Sequence, residues 1–233
     1  MKRLRLTLTL FLLIGAMLYA YVSKSNSHTS TDVSTNNLLA ISWQNAFCET
    51  HQKKRECRNI KATDFSASHF TLHGLWPQPR DNTYCKKSKK VWLEKPLYTE
   101  LLHVMPAAKS GLHQHEWKKH GTCYNSSQEQ YFKDSILLLK QINNSAVRDF
   151  FAKNIGKTVT AKQVRLAFDR AFGQGSGRKV KMQCHKGLIT ELHVNLQGNI
   201  SALSDIDRLL KDAKYAQNGC QKGRIDGVGF SRY

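Results

Sequence analysis

Acidic residues are scarce in this chain: 17 Asp and Glu stand against 36 Lys and Arg, giving a formal charge of +19. A field of that sign attracts polyanions and disfavours acidic partners. Charge alone does not name the polyanion, and Lys2, Arg3 and Arg5 belong to a leading segment. No C-x-x-C pair occurs, the two nearest cysteines being Cys48 and Cys57, which weighs against a zinc site. H-E-x-x-H is missing too, and with it the helical signature of the zincin hydrolases. There is no internal repeat, and strands and helices do not alternate strictly, which argues against a parallel doubly wound sheet. The glycine-rich stretch GQGSGRKV (173–180) has no strand before it and no clear helix after it, so it reads as a loop and not a phosphate cradle.

What is present begins with MKRLRLTLTLFLLIGAMLYAYVS, three basic residues followed by an apolar run from Leu6 to Val22. This is the layout of a secretory signal over residues 1–22. Leu18 is large for a position just before a cut after Ala20, and the run is near the lower length limit for crossing a bilayer, so a retained anchor over residues 4–22 is the alternative. An exported protein, periplasmic or secreted, is expected, with membrane contact only if the leader is kept. SKSNSHTSTDVSTNN (23–37) has almost nothing to bury and reads as a tether. The folded domain is expected over residues 38–233. Its six cysteines, Cys48, Cys57, Cys85, Cys123, Cys184 and Cys220, are even in number and read as three disulfides, although their order along the chain does not choose a connectivity.

LLAISWQNAFC (38–48) alternates and predicts a strand leading into Cys48. HFTLHGLW (69–76) alternates too, with Phe70 and Leu72 on one face and His69, Thr71 and His73 on the other, which predicts a half-buried strand. Residues 88–106 read as irregular chain and then a helix stopping before Pro106. QEQYFKDSILLLKQINN (128–144) and TAKQVRLAFDRAFG (160–173) have helical apolar spacing, the second ending at Gly173. KVKMQCHKGLITELHVNLQG (179–198) reads as a hairpin turning at HKG. The class expected is α+β, a central mainly antiparallel sheet packed with helices.

Two stretches carry chemistry. In FTLHGLWP (70–77), His73 stands at the end of an apolar strand beside Gly74 and ahead of Trp76 and Pro77. In HQHEWKKHGTC (113–123), helical spacing puts His115, Glu116, Lys119 and His120 on one side, with Trp117 behind, Lys118 pointing elsewhere and Gly121 as a helix stop. Metal-free cleavage of RNA asks for this set. The ribose 2′-hydroxyl needs a base, the departing 5′-oxygen an acid, and the phosphorane a cation. Histidine serves as acid or base near neutral pH, and lysine supplies a fixed positive charge.

With these residues in place, the sequence resembles the ribonuclease T2 family of exported acid endoribonucleases. Its two signature segments match FTLHGLWP (70–77) and HEWKKHGTC (115–123), and SWQNAFC (42–48) resembles its first strand. The resemblance implies a monomeric enzyme that needs neither cofactor nor metal and takes single-stranded RNA. His73 and His120 would be its acid and base, Glu116 and Lys119 would stabilise the phosphorane, and His115 would bind phosphate. Trp76 would stack on a base, with Tyr84 as a second ring. At position 78 the chain has Gln where some members have an acid that helps read the base. The disulfides expected on this footing are Cys48–Cys57, Cys85–Cys123 and Cys184–Cys220, the second holding the two motifs together. His28, His51, His103, His185 and His193 have no motif around them, and His69 and His113 read as rim. Two competing readings are a catalytically inactive binder of RNA or other polyanions on the same fold, and a basic surface-active protein.

Overall fold

In the computed structural model, residues 32–229 are described; the leader and His28 lie outside them, so neither the signal nor the anchor is tested. Among the described residues no helix is long and apolar enough to cross a membrane. One sheet of six strands organises these residues: β1 (Asn36–Ser42), β2 (Thr71–Pro77), β3 (Thr158–Thr160), β4 (Val180–His185), β5 (Leu188–Gln197) and β6 (Lys222–Arg224). The order is β2-β1-β5-β6-β3 with β4 also paired to β5, and every pairing is antiparallel except β5 with β6. Among the described residues seven helices pack around it: α1 (Gln44–Thr50), α2 (Lys95–Val104), α3 (Leu112–Lys119), α4 (Gln128–Asn143), α5 (Ala146–Lys153), α6 (Ala161–Phe172) and α7 (Ile206–Lys211). The expected α+β class stands.

Local chemistry sets the ends of these elements. Ser127 caps α4 by accepting from the Gln130 amide, and Thr160 and Gln163 form a reciprocal capping box on α6. Helix α6 stops at Gly173, whose φ of 92° suits glycine. The β4–β5 hairpin turns at Lys186 and Gly187, both with positive φ, where HKG predicted it. The three disulfides are Cys48–Cys57, Cys85–Cys123 and Cys184–Cys220, as the resemblance implied.

Two expectations need correction. The first strand does not run to Cys48; it stops at Ser42 and α1 follows. Trp43 causes the break, because its fully buried ring fits between Phe70 and Phe151 and its indole N–H donates to the Asp226 carbonyl at 2.7 Å. The simple alternation of HFTLHGLW also fails, since Thr71 is buried and both Leu72 and Leu75 enter the core, an odd spacing. The register explains this: Ala40 faces Gly74 and Ile41 faces Leu72, so His73 is the extra residue of a β-bulge. A bulge re-aims one side chain and shifts the phase of everything after it.

Strand β2 lies at the sheet edge, and α4 holds it. Asn143 both accepts from the Phe70 amide at 3.0 Å and donates to the Phe70 carbonyl at 2.9 Å. The Tyr131 hydroxyl donates to the Leu75 carbonyl at 3.0 Å. Backbone groups that an edge strand would leave to water are therefore met by buried side chains.

Candidate active site

Helix α3 starts after Gly111, in the left-handed region at φ 90°, and hands over to a 3-10 turn, Gly121–Cys123, through His120. The helix stops just before Gly121, as expected, but without a left-handed turn there. A Cβ there would collide with the Trp117 ring, which is buried and edge-on to Tyr131 at 5.7 Å. With Trp117 fixed behind, the opposite side of α3 faces β2. The loop leaving β2 is tied to the end of this helix twice, by the Tyr84 amide donating to the Lys119 carbonyl at 2.8 Å and by the Cys85–Cys123 bond.

The two motifs meet around a cavity of about 590 Å³ that takes in His73, Trp76, His115, Glu116, Lys119 and His120. Trp76 is its hub. The indole N–H donates to Glu116 Oε2 at 2.7 Å, and the ring stacks on His120 with centroids 5.1 Å apart and planes 24° from parallel. It also stands edge-on to His73 at 5.2 Å. Gly74 makes the arrangement possible, since a Cβ would overrun the Glu116 carboxylate and come within 2.7 Å of the Trp76 nitrogen. Tyr84 does not line this cavity; it is 54% exposed, and its contribution is the backbone tie to Lys119. Lys118 is exposed outside the cavity, while Lys119 lines it, as the helical projection required.

The structure adds two residues that no motif marked. Glu191 of β5 accepts from His73 Nδ1 at 2.6 Å, and its other oxygen pairs with His193 Nε2 at 2.8 Å. A signal existed in the sequence: Glu191, His193 and Asn195 are the polar half of an alternation whose apolar half, Leu192, Val194 and Leu196, fills the core. His193 and Asn195 line the cavity and Glu191 reaches His73 from a neighbouring pocket, because β5 lies beside β1, with Ala40 opposite His193 and Ser42 opposite Glu191.

The electrostatics divide the histidines. Burial pulls the His73 pKa down, but the Glu191 hydrogen bond and the Glu191 and Glu116 charges outweigh it, and the net shift is upward from 6.5. Burial pushes Glu191 up, yet its hydrogen bonds with His193 and His73 bring it down to about 2. His120 goes the other way, to about 3, through burial first and then the charges of Lys119, His115 and His73. His115 is lowered by burial and by Lys119, and burial raises Glu116. His120 Nδ1 is buried with no hydrogen-bond partner among the described residues. No group of three or more His, Cys, Asp or Glu is arranged to hold a metal ion among them.

The sequence matches the Ribonuclease T2 family over residues 35–207. This chain belongs to that family. Ribonuclease I of Escherichia coli strain K12 is 28% identical over 201 residues, which cover 70% of this chain and 75% of that protein. Ribonuclease T2 of Homo sapiens is 29% identical over 161 residues, covering 63% of this chain and 57% of its own. Among solved structures, the self-incompatibility SF11-RNase of Nicotiana alata superposes with a TM-score of 0.58 at 18% identity, covering 86% of this chain and all of that one. A single-residue mutant of RNase MC1, a bitter gourd seed protein, solved in complex with 5′-UMP, gives 0.54 at 21% identity over 71% of this chain and 89% of its own. At such identities the T2 superpositions speak for the fold.

Proposed function

We propose that this T2-family ribonuclease cuts single-stranded RNA by transphosphorylation without a metal, with His120 as base and His73 as acid. One observation carries the assignment: two histidines face one cavity, His73 between the carboxylates of Glu191 and Glu116 and His120 beside Lys119 with its buried Nδ1 lacking a hydrogen-bond partner among the described residues. Two groups with pKa values pushed apart sort themselves into acid and base.

His120 takes the proton of the ribose 2′-hydroxyl while O2′ attacks phosphorus. The P–O5′ bond breaks, and His73 delivers its proton from Nε2 to O5′, leaving a 2′,3′-cyclic phosphate and a 5′-hydroxyl. Water then opens the ring with the two roles exchanged, giving a 3′-phosphate. Lys119 and His115 project from adjacent turns of α3 toward the same space and offer positive charge and a donor to the phosphoryl oxygens. Glu116 is anchored by Trp76 and sits 3.6 Å from His73 Nε2, so it steers the acid. Trp76 has one face occupied by His120, which leaves its remaining surface for a base.

If the roles were reversed, the active form would need His120 charged and His73 neutral together, a minor state at every pH. A catalytically silent binder has no use for this separation. Three disulfides fit an exported protein working in an oxidising compartment. The test is single-stranded RNA with purified protein in excess EDTA, followed by ³¹P NMR. Transient cyclic phosphate is expected; full loss of activity in EDTA, or 5′-phosphate products, would sink the reading.

A further inference from the structure

We infer that Glu191, backed by His193, is the positioning residue that makes His73 the acid of the reaction. The inference rests on the proposed cleavage chemistry and goes beyond it, because neither residue belongs to the two motifs that define the site.

Both oxygens of Glu191 are engaged. Oε1 accepts from His73 Nδ1 at 2.6 Å and from the Ser42 hydroxyl at 3.3 Å, and Oε2 accepts from His193 Nε2 at 2.8 Å. A carboxylate held from three directions cannot swing, and its side chain is only 22% exposed. Fixing Nδ1–H to it fixes the tautomer and turns His73 Nε2 toward Glu116 and the cavity. His193 is itself held, edge-on to Trp76 at 5.2 Å and with Nδ1 3.4 Å from Gln183 Nε2. A neutral His193 protonated on Nε2 satisfies both contacts, donating to Glu191 and accepting from Gln183. The line Gln183–His193–Glu191–His73 thus runs from β4 through β5 to the bulge on β2, on strands that do not move independently.

The charge around His73 needs this carboxylate. From α3 it faces Glu116, His115 and Lys119 and from β5 Glu191 and His193; Arg80, Lys181 of β4 and Lys214 line the same cavity, and Lys54 and Glu56 line the pocket on its Glu191 side. Without Glu191 the Glu116 carboxylate would remain against Arg80, Lys119, Lys181 and Lys214, and the imidazolium would lose its only direct anionic hydrogen bond among the described residues. An acid that gives up its proton to solvent cannot give it to O5′.

The experiment compares leaving groups. Glu191→Gln is assayed on a dinucleotide, whose departing 5′-oxygen must be protonated, and on uridine 3′-(4-nitrophenyl phosphate), whose departing phenolate needs no proton. On the dinucleotide, kcat should fall roughly tenfold, KM should change less, and the basic limb of the pH profile should move to lower pH. On the nitrophenyl substrate the variant should stay within about twofold of wild type. His193→Gln should show the same pattern more weakly, and it guards against a Glu191→Gln protein that does not fold. In parallel, the His73 Cε1–H resonance is titrated by NMR, where Glu191→Gln should lower the apparent pKa. Equal losses on both substrates would reduce Glu191 to a structural part and overturn the inference, as would an unmoved basic limb or an unshifted His73 titration. The titration does not depend on turnover, so an inactive wild-type protein would refute the ribonuclease chemistry while leaving the Glu191–His73 coupling to be decided on its own.

Discussion

His73 and His120 are one residue type in one cavity, yet the regions that hold them differ in almost every respect. His73 rests on paired strands with a carboxylate near each ring nitrogen, Glu191 of β5 on its Nδ1 and Glu116, reaching across from α3, 3.6 Å from its Nε2. The helix side gives His120 no anion; it has Lys119 and His115 close by on α3, the Trp76 face against its ring, and an unpartnered Nδ1 among the described residues. In the proposed mechanism, acid and base are set by the surroundings of each ring, through the sign of the local charge and the presence or absence of an acceptor.

The largest effect should come from removing the base. His120→Ala should cost about 10²–10⁴ in kcat and abolish the acidic limb of the pH profile, leaving the basic limb in place. In the wild-type free enzyme that acidic limb should lie near His120's value of about 3 and the basic limb above 6.5, so kcat/KM is measured across that span. A single limb in the wild-type enzyme would break the comparison.

Lys119 against Lys118 sharpens it. Lys119→Ala should lower kcat by roughly a hundredfold or more with less effect on KM, because the charge it stabilises develops in the transition state. It should also raise the acidic limb, since Lys119 helps keep His120 from taking a proton. Lys118→Ala, the preceding residue and outside the cavity, should do neither. Equal losses for both, at fixed ionic strength and with folding checked by circular dichroism, would turn the helix side into a general electrostatic surface.

The Cys85–Cys123 bond fastens the loop that leaves β2 to the chain just after His120. Replacing both cysteines by alanine should cost on the order of 2–5 kcal/mol in chemical denaturation. Activity in the residual folded protein should report a displaced His120, with the His73 titration little changed.

The smallest effect is a matter of sign. His73 is raised in the folded protein, so its contribution is fully present below 6.5 and is lost as pH rises through its folded value. His120 is lowered from 6.5 to about 3, so the unfolded chain binds its proton first and stability falls as pH drops through that range. From neutral to mildly acid pH the two sides pull stability in opposite directions. His73→Gln should make the protein respond more unfavourably to acidification, and His120→Gln less so, in denaturation midpoints at pH 5 and 7. The same direction for both variants would contradict the assignment of surroundings.

The parts legible in the sequence were those whose signals are local. FTLHGLWP and HEWKKHGTC delivered His73, His115, Glu116, Lys119 and His120, and these meet in one cavity. Helices α4 and α6 announced themselves by apolar period, α6 also by its end at Gly173, and the β4–β5 hairpin by alternation around HKG. The short elements α5, α7, β3 and β6 offered too few residues for a period and are placed by packing. Glu191 escaped because its partner lies 118 positions away and only pairing through β1 brings them together. Tyr84, read as a ring for stacking, lies outside the cavity, and its backbone tie to Lys119 had no signal in the sequence.

The odd residue in β2 also says something about transplanting this site. A strand of regular phase that received His-Gly-Leu-Trp would send Leu75 to one face and His73 with it, so either the leucine would be stranded in water or the histidine drowned in the core. Only a strand able to slip one residue out of pairing, as Ala40 and Ile41 permit opposite His73, can carry both. The motif is a change of step as much as a set of letters. Deleting Gly74 should close the bulge and keep Leu72, Leu75 and Trp76 in phase while bringing the His73 side chain to the place where a Cβ overruns the Glu116 carboxylate and crowds the Trp76 indole, a change that near-ultraviolet circular dichroism would register before any assay was run.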